Sequence, residues 1–320
     1  MTETAPPRPS QDTLVLHEPF QATEIPSPWS SLVAFDAGAA SHAGLVRPKN
    51  EDSYLVFKTG RSWERMNASS PGQLPERFDE AGYVMAVADG MGGHQAGEVA
   101  SQLAIKTAVA VVLNNPHWAL KLDNPANRLK EIEQTIERAK GYFRAIHGAL
   151  LERAKDDPSL TTMGTTLTST YSFGSDLFVM HVGDSRAYVL SGGTLRQLTK
   201  DHTLAQEMAD AGRMSPEEAQ RHRLSHVLTR AIGGGSDEEL RTEVEYHELA
   251  DGDTVLLCTD GLTNMVADAA IAEVLSREGK AQELAEALVE RALAGGGKDN
   301  VTVVVGKYRI PPRPGARKQG

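Results

Sequence analysis

The sequence predicts an α+β protein in which two antiparallel β-sheets lie face to face and a pair of α-helices covers the outside of each. Two observations predict this class. Consecutive strand-like segments are joined by links too short for parallel crossovers, so neighbouring strands should pair as antiparallel hairpins. Helical periodicity comes in two neighbouring pairs of segments rather than between every two strands, which excludes a doubly wound βαβ chain.

Each predicted strand is a short run of apolar or β-branched residues. These runs lie at 43–46, 53–57, 83–88, 165–173, 177–182, 186–190, 241–248, 253–258 and 300–305. The four predicted helices repeat apolar residues at helical spacing, at 97–113, 127–155, 268–277 and 281–294. Residues 201–235 interrupt the strand pattern with polar helix-like pieces and the sequence IGGG, which indicates a small flap subdomain on the rim.

The chain divides into one globular domain and two tails. Residues 1–39 are rich in proline and lack periodicity, so we expect a flexible N-terminal tail. The domain is predicted over 40–308, and 58–82, rich in turn-forming and charged residues, is predicted to be a long loop within it. Residues 309–320 form a second tail, basic and proline-rich.

Composition excludes several function classes. The chain has 320 residues, 40% of them hydrophobic, and a net charge of −10, so a nucleic-acid partner, which needs a basic face, is not expected. No run approaches the ~18 to 20 uninterrupted apolar residues that span a bilayer, so we expect no membrane insertion and a cytoplasmic protein. The single cysteine, Cys258, excludes an internal disulfide and a thiolate zinc cluster.

The segment VADGMGGHQAGEVAS, residues 87–101, has an aspartate at the end of an apolar strand with a glycine-rich turn behind it. Such a turn can bind phosphate on its backbone N–H groups, hold a metal ion, or serve only the chain's geometry. The phosphate-loop patterns fail, because no Gly-Lys pair is followed by Ser or Thr and Gly90-Met91-Gly92 is followed three positions on by Gln95. The metal and the plain-turn interpretations stay open on this segment alone.

Five aspartates share one placement, at the edge of an apolar strand beside a turn-forming residue. They are Asp52, Asp89, Asp184, Asp260 and Asp299. If the strand ends converge, two carboxylates about 4 Å apart repel by roughly 4 kcal/mol at an effective dielectric of 20. Such a cluster requires cations or protons, and carboxylate and carbonyl oxygens favour Mg²⁺ or Mn²⁺ over zinc.

Six segments occur in the order found in one enzyme family. They are GLVRPKNEDSY, VADGMGGHQAGEVAS, MGTTLTSTY, HVGDSRAYVL, LLCTDGLTNMV and GGGKDNVTVVV. The sequence resembles the metal-dependent PP2C-type (PPM family) protein serine/threonine phosphatases, bacterial type, over about residues 40–308. The resemblance implies an αββα sandwich, two core Mn²⁺ or Mg²⁺ ions with a possible weaker third, and attack on phosphoserine or phosphothreonine by a hydroxide bridging the core ions, without a phosphoenzyme.

The resemblance also implies the ligands of the two core ions. Asp89 would bridge them, the carbonyl of Gly90 would be a further ligand, and Asp260 and Asp299 would complete the two shells. The glycines would then let the backbone come close to metal.

The remaining implied roles surround that pair of ions. Glu51 and Asp52 would hold metal-bound waters, and Asp184 would support the weaker third ion. Arg47 would bind the substrate phosphate, since a guanidinium forks onto two phosphate oxygens. His94 would be the general acid that protonates the leaving oxygen, a role suited to a pKa near 6.5.

Two further positions complete the comparison with the family. Arg186, in GDSR, is interpreted as structural and is expected to pair with a carboxylate or carbonyl. Asn264 stands where many relatives have an aspartate that binds the third ion. An amide offers a neutral oxygen without charge, so occupancy of the third site is left open.

The sequence supports two rival catalytic assignments less well. DGDTV, residues 251–255, matches an aspartate-nucleophile pattern, but both acids precede their strand and a hairpin turn is favoured. Cys258 lies inside an apolar run and is interpreted as a core residue. A non-catalytic phosphoprotein-binding module on the same fold, or a hydrolase of small phosphates, stays open. Implied partners are phosphoserine or phosphothreonine proteins and a cognate serine/threonine kinase.

Overall fold

The computed structural model describes residues 29–69, 75–92, 96–115, 127–234 and 240–312. In these ranges the strands are β1 Ala34–His42, β2 Ser53–Glu64, β3 Arg77–Ala88, β4 Gly90–Met91, β5 Gly164–Thr165, β6 Leu167–Phe173, β7 Asp176–Val182, β8 Arg186–Ser191, β9 Thr194–Gln197, β10 Ile232–Gly233, β11 Glu243–Glu248, β12 Thr254–Cys258 and β13 Val301–Arg309. The α-helices are α1 Ala96–Asn114, α2 Arg128–Asp156, α3 Leu204–Asp210, α4 Pro216–Arg221, α5 Asp260–Thr263, α6 Asp268–Leu275 and α7 Ala281–Ala294.

Two five-stranded sheets form the centre of the domain. The first sheet has the order β1-β13-β12-β8-β9 and the second β11-β7-β6-β3-β2, and their paired strands are antiparallel. Apolar side chains of both sheets meet between them, among them Val87, Val179, Val189, Leu257 and Val304. Successive strand residues point to opposite faces, so each sheet also has an outer apolar face that a helix can cover. The predicted pair of antiparallel sheets is confirmed.

A helical pair covers each outer face. On the first sheet, α7 buries Leu284, Leu288 and Ala292 at helical spacing. On the second sheet, α2 buries Phe143 and Leu150 in the same manner. The four predicted helices are therefore present and cover the outer faces of the two sheets, as expected.

Helix α1, beside α2, is the one helix in the described ranges that is long and apolar enough to cross a membrane, with a mean hydropathy of 1.4. Its Ala100 and Ala104 are fully buried, and the helix contacts the second sheet as well as α2.

The N-terminal boundary of the domain was predicted too late in the chain. Trp29 is buried and its indole Nε1 donates to the carbonyl of Pro311 at 3.2 Å. β1 then pairs along its whole length with β13, so residues 29–39 belong to the fold and the predicted tail is wrong for them. Residues 34–42 are mostly alanine, glycine and polar, a composition that gives little strand signal. Residues 1–28 lie outside the described ranges.

Two other predicted segments also differ. Residues 43–46 form a turn rather than a strand, because Gly44 has a φ of 80° and Leu45 N donates to the carbonyl of Gly297 at 2.7 Å. The predicted loop over 58–82 is largely a ladder, in which β2 continues to Glu64 and β3 begins at Arg77. Its charged residues pair across the strands, as Arg61 does with Glu80, so a polar sequence still forms sheet.

β13 also extends to Arg309, one residue into the predicted C-terminal tail, of which 313–320 lie outside the described ranges.

The predicted flap segment contains α3 and α4. Thr203 caps α3 and Ser215 forms a capping box with Glu218 at the start of α4. A bridge between Thr203 and Leu228 closes the segment at its base. Residues 235–239 lie outside the described ranges.

Candidate metal centre

Antiparallel pairing brings the predicted carboxylates to one edge of the two sheets. Asp52 precedes β2 and Asp89 follows β3, and these strands pair with Ser53 opposite Ala88. Asp260 follows β12 and Asp299 precedes β13, which pair with Cys258 opposite Val303. Asp184 follows β7 and completes the set. The hairpin topology therefore explains why five residues far apart in sequence share one edge.

These residues border a cleft of about 1310 Å³ between the sheet edges and the flap. Seven of the nine predicted site residues line it: Arg47, Glu51, Asp89, Gly90, Asp184, Asp260 and Asp299. Asp52 lies behind this lining, and His94 falls outside the described ranges. We call Asp52, Asp89, Asp184 and Asp260 the acidic floor.

The two carboxylate oxygens of Asp52 have different surroundings. Thr259 Oγ1 donates to its Oδ2 at 2.9 Å, whereas its buried Oδ1 has no hydrogen-bond partner in the described ranges. Burial raises the pKa of Asp52 from 3.8 to about 7, against the opposing effect of the nearby polar groups of Thr302 and Thr259. A buried oxygen without a donor is the kind of group that a cation or a bound water satisfies.

Asp89 is held at the end of β3 by its backbone. Its N–H donates to Thr166 Oγ1 at 2.9 Å, and its carbonyl accepts from Thr165 Oγ1 at 2.8 Å and from the N–H of Thr166 at 2.9 Å. These bonds leave the carboxylate free to face the cleft. Burial raises the pKa of Asp89 well above 3.8, and the neighbouring carboxylates raise it further, Asp52 most of all.

Gly90 and Gly97 let three chain segments approach each other at the centre. A Cβ on Gly90 would lie 2.1 Å from the carbonyl oxygen of Gly97 and 2.6 Å from that of Glu51. A Cβ on Gly97 would lie 2.4 Å from Glu51 Oε2. A side chain at either position would push the Glu51 segment away from the cleft, so the glycines are required by close packing.

Asn300 organises the loop that carries Glu51 and Arg47. Its Oδ1 accepts from the N–H of Glu51 at 2.8 Å, and its Nδ2 donates to the carbonyls of Ala43 and Lys49 at 2.9 and 2.8 Å. It is 6% exposed, so these bonds are shielded from water. Sequence reasoning missed this role, although Asn300 follows Asp299 directly in the motif GGGKDN.

Arg47 forms an ion pair with Asp299, with Nη2 at 2.7 Å from Oδ2. The hydrogen bond and the charge of Asp299 raise the pKa of Arg47, whose side chain is 56% exposed. The predicted phosphate-binding group therefore lies beside a predicted metal ligand.

Asp184 and Arg186 connect the cleft to the base of the flap. Burial raises the pKa of Asp184 well above 3.8, and Asp260 adds to this rise. Arg186 donates through Nε to Asp201 Oδ1 at 2.9 Å and through Nη2 to Oδ2 at 2.6 Å, a bidentate pair. The interpretation of Arg186 as a structural residue agrees with this geometry.

Two groups beside Asp260 lie at the flap side of the centre. Asn264 Nδ2 donates to Asp260 Oδ2 at 3.0 Å, and His226 Nδ1 of the flap lies 3.9 Å from the same oxygen. Burial raises the pKa of Asp260, and Asp299 contributes to the rise. Sequence reasoning missed this approach of His226, because no metal-ligand spacing marks the residue in the sequence.

The donor set fits a hard divalent cation. The floor offers carboxylate oxygens, one of them buried and unpartnered, and mutual repulsion that positive charge would relieve. In the described ranges, no three His, Cys, Asp or Glu side chains already converge on one point at ligand distance. The carboxylates thus lie along one edge of the sheets and repel one another, but they do not form a ready-made set of metal ligands.

Comparison with known proteins gives consistent results. The family described as Protein phosphatase 2C matches residues 74–293. The serine/threonine protein phosphatase PstP of Mycobacterium tuberculosis is 39% identical over 267 residues, which cover 83% of this chain but only 44% of that protein. The serine/threonine phosphatase stp of Listeria innocua is 35% identical over 252 residues, 79% of this chain and 94% of that protein.

A solved structure shares the fold as well. It is the catalytic domain of the serine/threonine protein phosphatase PstP in complex with two manganese ions, with 35% identity and a TM-score of 0.66. The match covers 87% of this chain and 100% of that one. The similarity therefore extends across both sheets.

Proposed function

Because this chain belongs to the protein phosphatase 2C family, we propose that it hydrolyses phosphoserine and phosphothreonine in proteins with the help of two Mn²⁺ or Mg²⁺ ions. The observation that carries the proposal is the convergence of carboxylates from both sheets with Arg47 at one cleft. Family relatives named as serine/threonine phosphatases and the manganese-bound PstP domain support it. We further propose a cytoplasmic enzyme that opposes a serine/threonine kinase.

The cation-binding part of the proposal assigns a role to each residue of the acidic floor and to its neighbours Gly90, Asp299 and Glu51. Asp89, the carbonyl of Gly90, Asp260 and Asp299 would hold the two core ions. When bound, such ions lower the pKa of coordinated water toward ~7 and offset the negative charge of the phosphate. The unpartnered Oδ1 of Asp52 supports its assignment, with Glu51, to waters around the ions. Asp184 would serve a third, weaker ion.

Arg47 would bind the phosphate group itself. Its guanidinium is exposed to the cleft and always charged, so it can donate to two phosphate oxygens at once. To do so it exchanges its bond with Asp299 for bonds to the substrate, which leaves the Asp299 carboxylate available to a cation. His94 would donate the proton that the departing serine or threonine oxygen requires. Transfer is then direct to water, without a phosphorylated side chain.

The deciding experiment measures phosphate release from a phosphothreonine peptide with Mn²⁺, with Mg²⁺ and with chelator. Asp260→Ala tests the floor, and Asp156→Ala, an exposed carboxylate at the end of α2, is the matched control. We expect metal-dependent release, loss of about a thousandfold in Asp260→Ala, corresponding to roughly 4 kcal/mol, and full activity in the control.

Two results would contradict the proposal. Wild-type protein that binds the peptide but releases no phosphate with either metal would favour a non-catalytic phosphoprotein-binding module. Release from a nucleotide or sugar phosphate but from no phosphopeptide would instead favour a hydrolase of small phosphates.

A further inference from the structure

Four cations border the cleft and, in the part of the chain that the structure describes, form no ion pair within 4.0 Å. Lys49 and Lys298 lie on the loop side, and Arg221 and Arg223 lie on the flap side. Each is exposed, and none has an ion pair within the described ranges. We call these four residues the cationic rim.

The cationic rim differs in charge from the rest of the cleft and from the chain as a whole. The other two arginines that line the cleft are already paired, Arg47 with Asp299 and Arg186 with Asp201. The acidic lining residues lie mainly at the sheet edges, where the proposed ions would offset their charge. With a net charge of −10, the protein as a whole repels anions, so a local group of cations is needed to attract an anionic ligand to the cleft.

The two halves of the cationic rim come from different parts of the chain but line the same cleft as Arg47. Lys49 follows Arg47 by two residues, and its carbonyl is fixed by Asn300 Nδ2 at 2.8 Å. Lys298 directly precedes Asp299, the partner of Arg47.

On the flap side, Arg221 ends α4 and Arg223 lies in the following turn. His226 of that turn lies 3.9 Å from Asp260 Oδ2, which brings the flap against the acidic floor. A peptide whose phosphate is bound by Arg47 would therefore lie in a cleft that is lined by cations from both the loop and the flap.

We propose that the cationic rim selects phosphoprotein segments that carry anionic side chains near the phosphorylated residue. This inference rests on the proposed phosphatase function and adds a substrate class to it. Each rim cation is exposed, so removing one should lower kcat/KM for an anionic peptide by about twofold to fivefold. Water and salt screen exposed charges, so the preference should shrink as ionic strength rises above ~0.1 M, where the Debye length is about 10 Å.

The experiment compares phosphothreonine peptides of equal length whose flanks carry glutamate, glutamine or lysine. A fourth peptide, with a second phosphothreonine in the flank, tests whether the anionic group is a carboxylate or another phosphate. We expect kcat/KM to fall from glutamate through glutamine to lysine. If kcat/KM exceeds that of the glutamine peptide with only one of the two anionic flanks, that flank identifies the anionic group that the rim prefers. If neither anionic flank raises kcat/KM, the proposal is overturned.

Variants assign the preference to the cationic rim. The readout is the ratio of kcat/KM for the glutamate peptide to that for the glutamine peptide, which cancels a general loss of activity. We expect this ratio to fall by about four- to 25-fold in Arg221→Gln/Arg223→Gln and likewise in Lys49→Gln/Lys298→Gln. Arg213→Gln, an exposed flap arginine that does not line the cleft, should leave the ratio unchanged.

The outcomes separate this inference from the proposed function. Equal kcat/KM for all flanks, or a ratio that neither double variant changes, would overturn the selectivity while hydrolysis itself still supports a phosphatase. Absence of phosphate release from every peptide and from p-nitrophenyl phosphate with Mn²⁺ would instead contradict the proposed function, and the selectivity with it.

Discussion

The acidic floor and the cationic rim border the same cleft, but their charges lie in different surroundings. Burial is the largest cause of the raised pKa of Asp52, Asp89, Asp184 and Asp260. The rim cations are exposed to water. An elementary charge interacts strongly where water is excluded and weakly where water screens it. Substitutions and changes of pH should therefore alter stability and activity strongly when they act on the acidic floor and weakly when they act on residues nearer the cationic rim.

The largest effect should be the pH dependence of stability in the metal-free protein. With a pKa of about 7 instead of 3.8, native Asp52 keeps a proton between about pH 4 and pH 7 that the unfolded chain has released. Because the native state then binds more protons, its free energy of unfolding falls as pH rises through this interval. The shift corresponds to about 4 kcal/mol at 1.36 kcal/mol per pKa unit. Urea unfolding in chelator from pH 4 to pH 8 measures it.

Asp52→Asn is the control for this prediction, because it removes the titrating group and keeps the side-chain size. The difference in unfolding free energy between variant and wild type should grow in favour of the variant as pH rises. Mn²⁺ should stabilise the wild type most at pH 8, the upper end of this range, where the floor carboxylates are most ionised. A difference that is constant with pH would show that Asp52 is not the group responsible.

A smaller effect on stability should come from the backbone beside the acidic floor, at Gly90. Gly90→Ala places a Cβ 2.1 Å from the carbonyl oxygen of Gly97, so the segment must shift, at a cost of about 1 to 3 kcal/mol. Gly148→Ala is the matched control, since it lies inside α2 with nothing within 4 Å of the added Cβ and should stabilise by about 0.5 to 1 kcal/mol. Thermal melts compare the two, and equal shifts would contradict the close packing at Gly90.

The floor could be predicted from the sequence because its residues lie next to strong strand signals. Asp89 and Asp260 each follow a continuous apolar run, and antiparallel hairpins return such ends to one edge. The αββα layers followed from the same runs and from the helical periodicity. Strand β1 was missed because its alanine- and glycine-rich sequence has little apolar alternation, and only pairing with β13 reveals it.

The contacts across the cleft were not predictable in this way. His226 approaches Asp260 from the flap, 34 positions earlier in the chain, and neither residue type nor spacing marks the pair. Thr259 donates to Asp52 across 207 positions, and Asn300 joins the segments of Ala43, Lys49 and Glu51. Such bonds depend on how the two sheets and the flap are packed, whereas sequence patterns report mainly on one element at a time.

The smallest effect should occur at Asn264, where the floor meets the exposed surface. Asn264 is exposed and its Nδ2 donates to Asp260 Oδ2 at 3.0 Å, so Asn264→Asp replaces a donor with a second carboxylate. Two carboxylates about 4 Å apart in water repel by roughly 1 kcal/mol, so the metal-free variant should melt slightly lower than the wild type. The added charge should also increase stabilisation by Mn²⁺, measured as the change in Tm on titration. Asn264→Ala removes the donor without adding charge and so separates the two causes. This variant should share the small loss of stability but not the larger response to Mn²⁺. An identical Mn²⁺ response in both variants would show that the charge at this position does not contribute to cation binding.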